Sequence, residues 1–115
     1  MKFTSEELER VSSYTTRTAF GCGNFYDTID ITKKEDPCRV FLKLGKAGGC
    51  QRVLLESIAR LITIILQDTD IPLERVYKTL CNMSCDQGTV YCKSCMDKLA
   101  KGLKTYLPKE EEDAG

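Results

Sequence analysis

From Phe25 to Ile31 the chain alternates, with Phe25, Asp27, Ile29 and Ile31 set against Tyr26, Thr28 and Asp30. A period of two predicts a strand. Cys38–Leu44, CRVFLKL, does the same, with Val40, Leu42 and Leu44 opposed to Arg39, Phe41 and Lys43. The polar run TKKEDP between them ends in Pro37 and reads as a turn, so the two runs are expected to pair as an antiparallel hairpin. Upstream, YTTRTAF is equally rich in strand-forming residues. It meets the second run at Gly21-Cys22-Gly23, where the backbone is expected to bulge or turn.

Past Gly49 the rhythm changes. Val53, Leu54, Ile58, Leu61, Ile62 and Ile65 recur at helical spacing, with Ile64 and Leu66 widening the apolar surface. This is the expected central helix, buried on most of its circumference. Asp70-Ile71-Pro72 suits a cap with proline in the first turn of a second helix, whose apolar face is Leu73, Val76, Tyr77 and Leu80. Met96, Leu99, Leu103 and Tyr106 predict a third, stopped by Pro108. At the N-terminus, Thr4 and Glu7 fit a capping box ahead of a short helix over residues 5–13. The fold class is α+β: a small antiparallel sheet packed against two or three helices, with a cysteine-rich knuckle. The expected division is a helical extension over residues 1–14, a main domain over 15–107 and an acidic, unstructured tail over 108–115.

Composition narrows the function. The 115 residues hold 17 Lys plus Arg and 17 Asp plus Glu. With no basic excess, general nucleic-acid binding is not expected. The opening MKFTSEELERVSS lacks the apolar core of a signal peptide, and Glu56 and Arg60 interrupt the most apolar segment. A soluble cytoplasmic protein is expected. There is no histidine, so no Cys-His or Ser-His-Asp arrangement can be built, and a hydrolase is a poor fit.

Chemistry concentrates in three places. Cys81, Cys85, Cys92 and Cys95 form two close pairs, CNMSC and CKSC, with six residues between them. Four thiolates suit tetrahedral zinc, with Zn–S about 2.3 Å. Packed thiols are the plainer alternative, and a redox dithiol centred on Cys92-Lys93-Ser94-Cys95 is a third. The second place is Gly45, Lys46, Ala47, Gly48 and Gly49, between a strand and a helix. Backbone N–H groups there could gather on a phosphate or nucleotide, with Lys46 adding charge. The order is neither GxxxxGK[ST] nor GxGxxG, and a strand-to-helix turn needing positive φ and close packing is the favoured explanation. The third is Cys22, Cys38 and Cys50. Cys38 reads as a small hydrophobe in a strand. Cys22 and Cys50 lie on glycine turns and could meet in space.

GCGNFYDTIDI, VFLKLGKAGGC, ESIARLITIIL, IPLERVYKTLC and SCMDKLAKGL together resemble a TSCPD-type domain, over roughly residues 15–103. Such domains close the C-terminal end of cobalamin-dependent (class II) ribonucleotide reductases and also occur alone. The Thr-Ser-Cys-Pro-Asp motif corresponds to Lys93, Ser94, Cys95, Met96 and Asp97, with its threonine and proline replaced. The resemblance implies a second ligand set, Cys22, Cys50, Cys81 and Cys95, in which only Cys81 and Cys95 are shared with the local knuckle. It further implies a zinc-binding accessory or interaction module without catalysis of its own, with a ribonucleotide reductase or another protein as partner. The alternatives are a small nucleotide- or phosphate-sequestering oligomer and a thiol donor to a reductase.

Overall fold

The computed structural model describes residues 2–21, 23–45, 49–86, 88 and 91–107. Its elements are α1 (Ser5–Glu9), β1 (Val11–Phe20), β2 (Gly23–Thr32), β3 (Pro37–Leu44), α2 (Gly49–Asp68), α3 (Leu73–Leu80) and α4 (Cys95–Lys104). The architecture is α+β, with one antiparallel sheet of order β1-β2-β3.

The glycine pair Gly21 and Gly23 resolves into a hairpin turn: β1 and β2 pair in unbroken register from Val11↔Thr32 to Phe20↔Gly23. Gly23 has φ +134°, and a Cβ there would stand 2.6 Å from the carbonyl oxygen of Gly45. Only glycine lets that backbone approach so closely. β2 and β3 form the expected hairpin, with a register shift at Asp30/Ile31.

Three details depart from the sequence expectation. The capping box forms, with Thr4 Oγ1 accepting from Glu7 N–H and Glu7 accepting from Thr4 N–H, but α1 ends at Glu9. Residues 11–13 are taken by β1 because pairing with Thr32, Ile31 and Asp30 satisfies their backbone over the full strand. α3 begins after Pro72, which caps it by backbone alone, rather than at Asp70. α2 buries only Ala59, Ile62 and Leu66, so it is not covered around most of its circumference. The stop at Pro108 and the acidic tail lie outside the described residues.

The main core joins Ile29, Ile31 and Val40 of the sheet to Ala59, Ile62 and Leu66 of α2, Val76 of α3, and Leu99 and Leu103 of α4. α2 lies along β3 and closes its outer edge: Thr63 Oγ1 accepts from Val40 N–H at 3.1 Å, and Gln67 Nε2 donates to Cys38 O at 2.9 Å. An edge strand capped in this way offers fewer free groups to another chain. α4 lies on β2 through a largely buried polar contact. Lys98 Nζ reaches Asp27 Oδ1 at 3.2 Å and Thr16 Oγ1 at 2.9 Å, while Thr16 donates to Asp27. Across the sheet's other face, Asp30 accepts from Ser13 and from Arg39 Nε, and Arg39 also donates to Leu8 O. Among the described residues, no helix is long and apolar enough to cross a membrane.

Candidate functional site

A second, smaller core lies where the hairpin turn, the end of β3 and the cysteine-rich loop come together. It consists of Phe20, Phe25, Leu44 and Cys92, with Leu42, Leu55 and Cys95 packed around it. Phe20 and Phe25 meet edge to face at 6.1 Å, a favourable aromatic geometry.

The loop from Cys81 to Cys95 is organised by one carboxylate. Asp97, in the first turn of α4 and almost fully buried, accepts from Asn82 N–H at 2.8 Å through Oδ1 and from Lys93 N–H at 2.8 Å through Oδ2. It thus joins the two ends of the loop, one residue after Cys81 and one residue after Cys92. Lys101 Nζ lies 3.4 Å from Oδ2 and also donates to Tyr91 O. The other end of this N-terminus is capped by Ser94, whose Oγ accepts from Asp97 N–H at 3.1 Å. Burial pushes the Asp97 carboxyl up, but the N–H groups of Lys93 and Asn82 and the Lys101 ammonium outweigh it and hold it below the ordinary aspartate value. Asn82 adopts the left-handed conformation, φ 63°, that turns the chain out of α3. Cys85 N–H donates to Lys93 O at 2.9 Å, and Gly88 N–H to Cys85 O at 3.0 Å. A Cβ on Gly88 would stand 2.3 Å from Lys93 O, so the loop requires glycine there.

The thiols occupy different environments. Cys81 caps α3 and directs Sγ to Lys78 O at 3.6 Å. Cys85 is exposed, its Sγ 3.7 Å from Asp86 Oδ1. Cys92 is buried in the aromatic cluster, and Cys95, the first residue of α4, packs beside it. Cys50 is exposed in the first turn of α2. Cys38 is fully buried in β3, donates to Asp30 O at 3.4 Å, and has its thiol pushed up chiefly by burial. Among the described residues, no three cysteine, aspartate or glutamate side chains gather as a metal-holding group. That covers all four members of the local set and Cys50, Cys81 and Cys95 of the distributed one; Cys22 lies outside the described residues. The described thiols therefore do not form a preassembled four-coordinate site. Of the glycine-rich turn, Gly45 donates to Asn24 O at 2.8 Å and Gly49 opens α2, while Lys46, Ala47 and Gly48 lie outside the described residues.

Asp97 stands where the motif's aspartate is expected, two residues after Cys95. The family model described as TSCPD domain matches residues 2–107. The chain belongs to the TSCPD domain family. No curated protein and no solved structure matches it. The TSCPD match extends over α1 and β1 as well as the cysteine-rich loop. The motif's Ser, Cys and Asp acquire distinct tasks here: Ser94 caps α4, Asp97 fastens the loop, and Cys95 presents a thiol at the helix start. Sequence reading named Asp97 only as part of the motif. Its role as a clamp was signalled by an acidic residue three positions after a serine at a helix start, but its partners were not.

Proposed function

We propose that this TSCPD domain is a non-catalytic accessory or interaction module in which Cys81 and Cys95, with two further thiols, hold a zinc ion. One observation carries the reading: a single buried carboxylate fastens the backbone beside Cys81 to the backbone beside Cys92. Neighbourhood of the loop ends is thus built into the fold independently of any metal. The two remaining ligands would be Cys85 and Cys92, or Cys22 and Cys50. Zinc would supply folding free energy by cross-linking the loop, and its binding would release thiol protons. The chain holds no histidine, and in this reading its contribution is binding and presentation. A ribonucleotide reductase or another protein is the partner this reading supplies.

Metal analysis of protein purified without chelator is the test. About one zinc per chain, lost in both Cys81→Ser and Cys95→Ser, supports the reading. Unchanged zinc in Cys85→Ser together with loss in Cys50→Ser selects the distributed set, and the reverse selects the local one. Protein that purifies without metal and binds none when zinc is added sinks it.

A nucleotide-binding reading has its own observation. A groove of about 490 Å³ beside Gly45 is lined by Tyr26, Phe41, Lys43 and Thr15, which combines aromatic surface with a cation next to the glycine-rich turn. Calorimetric titration with nucleoside mono- and triphosphates tests it. Binding that is weakened in Phe41→Ala supports this second reading, and the absence of heat with any of them removes it.

A further inference from the structure

α2 has two apolar faces and the fold uses one. Ala59, Ile62 and Leu66 point into the core. On another side of the helix, Cys50, Leu54, Ser57, Leu61, Ile64 and Asp68 follow one another alternately four and three residues apart. That alternation keeps a seam facing a second helix along its whole length. All six are exposed, and Leu54, Leu61 and Ile64 are 62, 60 and 51% accessible, with Val53 beside them at 53%.

We propose that this seam is a homodimer interface, in which α2 of one chain pairs antiparallel with α2 of a second copy. The inference is independent of metal or nucleotide binding. Three observations select a second copy as the occupant. The first is the seam's own symmetry. With the helices antiparallel, Leu54 meets the partner's Ile64, and Ser57 meets the partner's Leu61 on either side of the two-fold axis. The small serine lets the backbones come close where the axis passes, and an isologous contact needs this kind of self-complementarity.

The second is charge. Glu56 and Arg60 lie one turn apart on the same flank and form an exposed ion pair within the helix. In the antiparallel register the two Arg60 side chains flank the two-fold axis, and Glu56 of each chain comes within two positions of the partner's Arg60 and offsets that charge. A parallel pair would set this flank against the apolar flank of Ile58 and Ile65. The chain as a whole has no net charge to keep copies apart.

The third is area. Four such side chains present an apolar patch on the order of 400 Å², near the largest a typical monomer leaves exposed. That is roughly half of the ~800 Å² each partner buries in a standard interface. More surface lies alongside. Ile64, Glu56 and Arg60 also line a groove of about 650 Å³ between α2 and β3, which Leu42, Leu44 and Leu55 share. A helix lying on the seam covers the mouth of that groove. A helix of 20 residues is about 30 Å long, ample for such a contact.

Sedimentation equilibrium of the full chain in reductant tests the proposal. The parent is expected at twice its 13.0 kDa mass. Leu61→Glu and, separately, Leu54→Glu are expected at the mass of one chain with the parent's far-UV circular dichroism, since both side chains face solvent in the single chain. Glu56→Arg and Arg60→Glu each loosen the dimer, by about tenfold or more, and the double exchange recovers it. A parent that sediments as one chain at about 100 µM, a concentration at which even a weak self-association shows, overturns the proposal, whatever other protein that face then binds. So does an assembly that survives both glutamate substitutions. A double exchange that recovers nothing overturns the antiparallel order.

Discussion

At the scale of single residues, Asp97 has the most to lose. Both its oxygens accept backbone N–H groups, Oδ1 from Asn82 and Oδ2 from Lys93, and its carboxylate is nearly fully buried. Asp97→Asn keeps the shape but turns an NH₂ group toward one of those donors. Leaving a buried donor unpaired costs about 1–3 kcal/mol, and Asp97→Asn is expected to lower urea-denaturation stability by that amount. The folded carboxyl lies below its unfolded value, so its contribution is complete above the unfolded value and is lost as pH falls through the folded one. The difference between parent and Asp97→Asn should accordingly shrink in strongly acidic buffer; a difference that grows there would contradict the assignment. The thiols give a second residue-scale expectation. Cys50 and Cys85 are exposed, whereas Cys38 and Cys92 are buried and the Cys38 thiol is further disfavoured as thiolate. In metal-free protein, iodoacetamide mapped by mass spectrometry should, among the described thiols, modify Cys50 and Cys85 first and Cys38 last.

Elements were legible where their signals are local. The Thr4–Glu7 capping box spans four residues, and both of its hydrogen bonds are present. The β2–β3 hairpin follows from two period-two runs and the turn between them. The boundary between α1 and β1 was not legible, because Leu8 and Val11 stand at a helical spacing while the decisive partners of residues 11–13 lie near residue 30. The exposed face of α2 was hidden for a related reason: apolar periodicity reports that a face exists, not what covers it. Attachment of α4 to the sheet depends on a contact no local pattern announces, the Lys98–Asp27–Thr16 cluster. Lys98→Met leaves the buried Asp27 carboxylate with Thr16 as its remaining side-chain donor. Removing one partner of a buried pair costs about 3–5 kcal/mol, reduced here because the Lys98 side chain keeps 18% exposure. Replacing both, as Asp27→Leu with Lys98→Met, should cost less than Lys98→Met alone. Chemical denaturation of the two variants checks the order, and the reverse order would mean that the cluster is not held together by the ion pair.

For the whole molecule, the division into two cores decides what the cysteines can do. Spacing placed Cys92 beside Cys95 in a metal-like pair, but it could not reveal that the Cys92 side chain lies among Phe20, Phe25 and Leu44. Side-chain direction in a loop is set by tertiary packing, here by strand residues 48 to 72 positions earlier in the chain. The larger core joins α2, α3 and α4 to Ile29, Ile31 and Val40, whereas the smaller one supports the cysteine-rich loop at the sheet's other end. The two cores therefore have separable consequences. Phe25 is fully buried in the smaller one, and Phe25→Leu removes its aromatic contact with Phe20 while leaving an apolar side chain. A loss of about 1–2 kcal/mol is expected from the aromatic pair and the residual void. Its effect should be local: amide exchange of Cys85 and Lys93, whose N–H groups are held by Lys93 O and by the Asp97 carboxylate, should speed up more than that of Val40, whose N–H is held by Thr63. Leu103→Ala, in the larger core, is expected to cost about 2–5 kcal/mol and to accelerate all three amides together. Equal acceleration of the three in Phe25→Leu would show that the smaller core is no separate support, and that the loop opens only when the whole domain does.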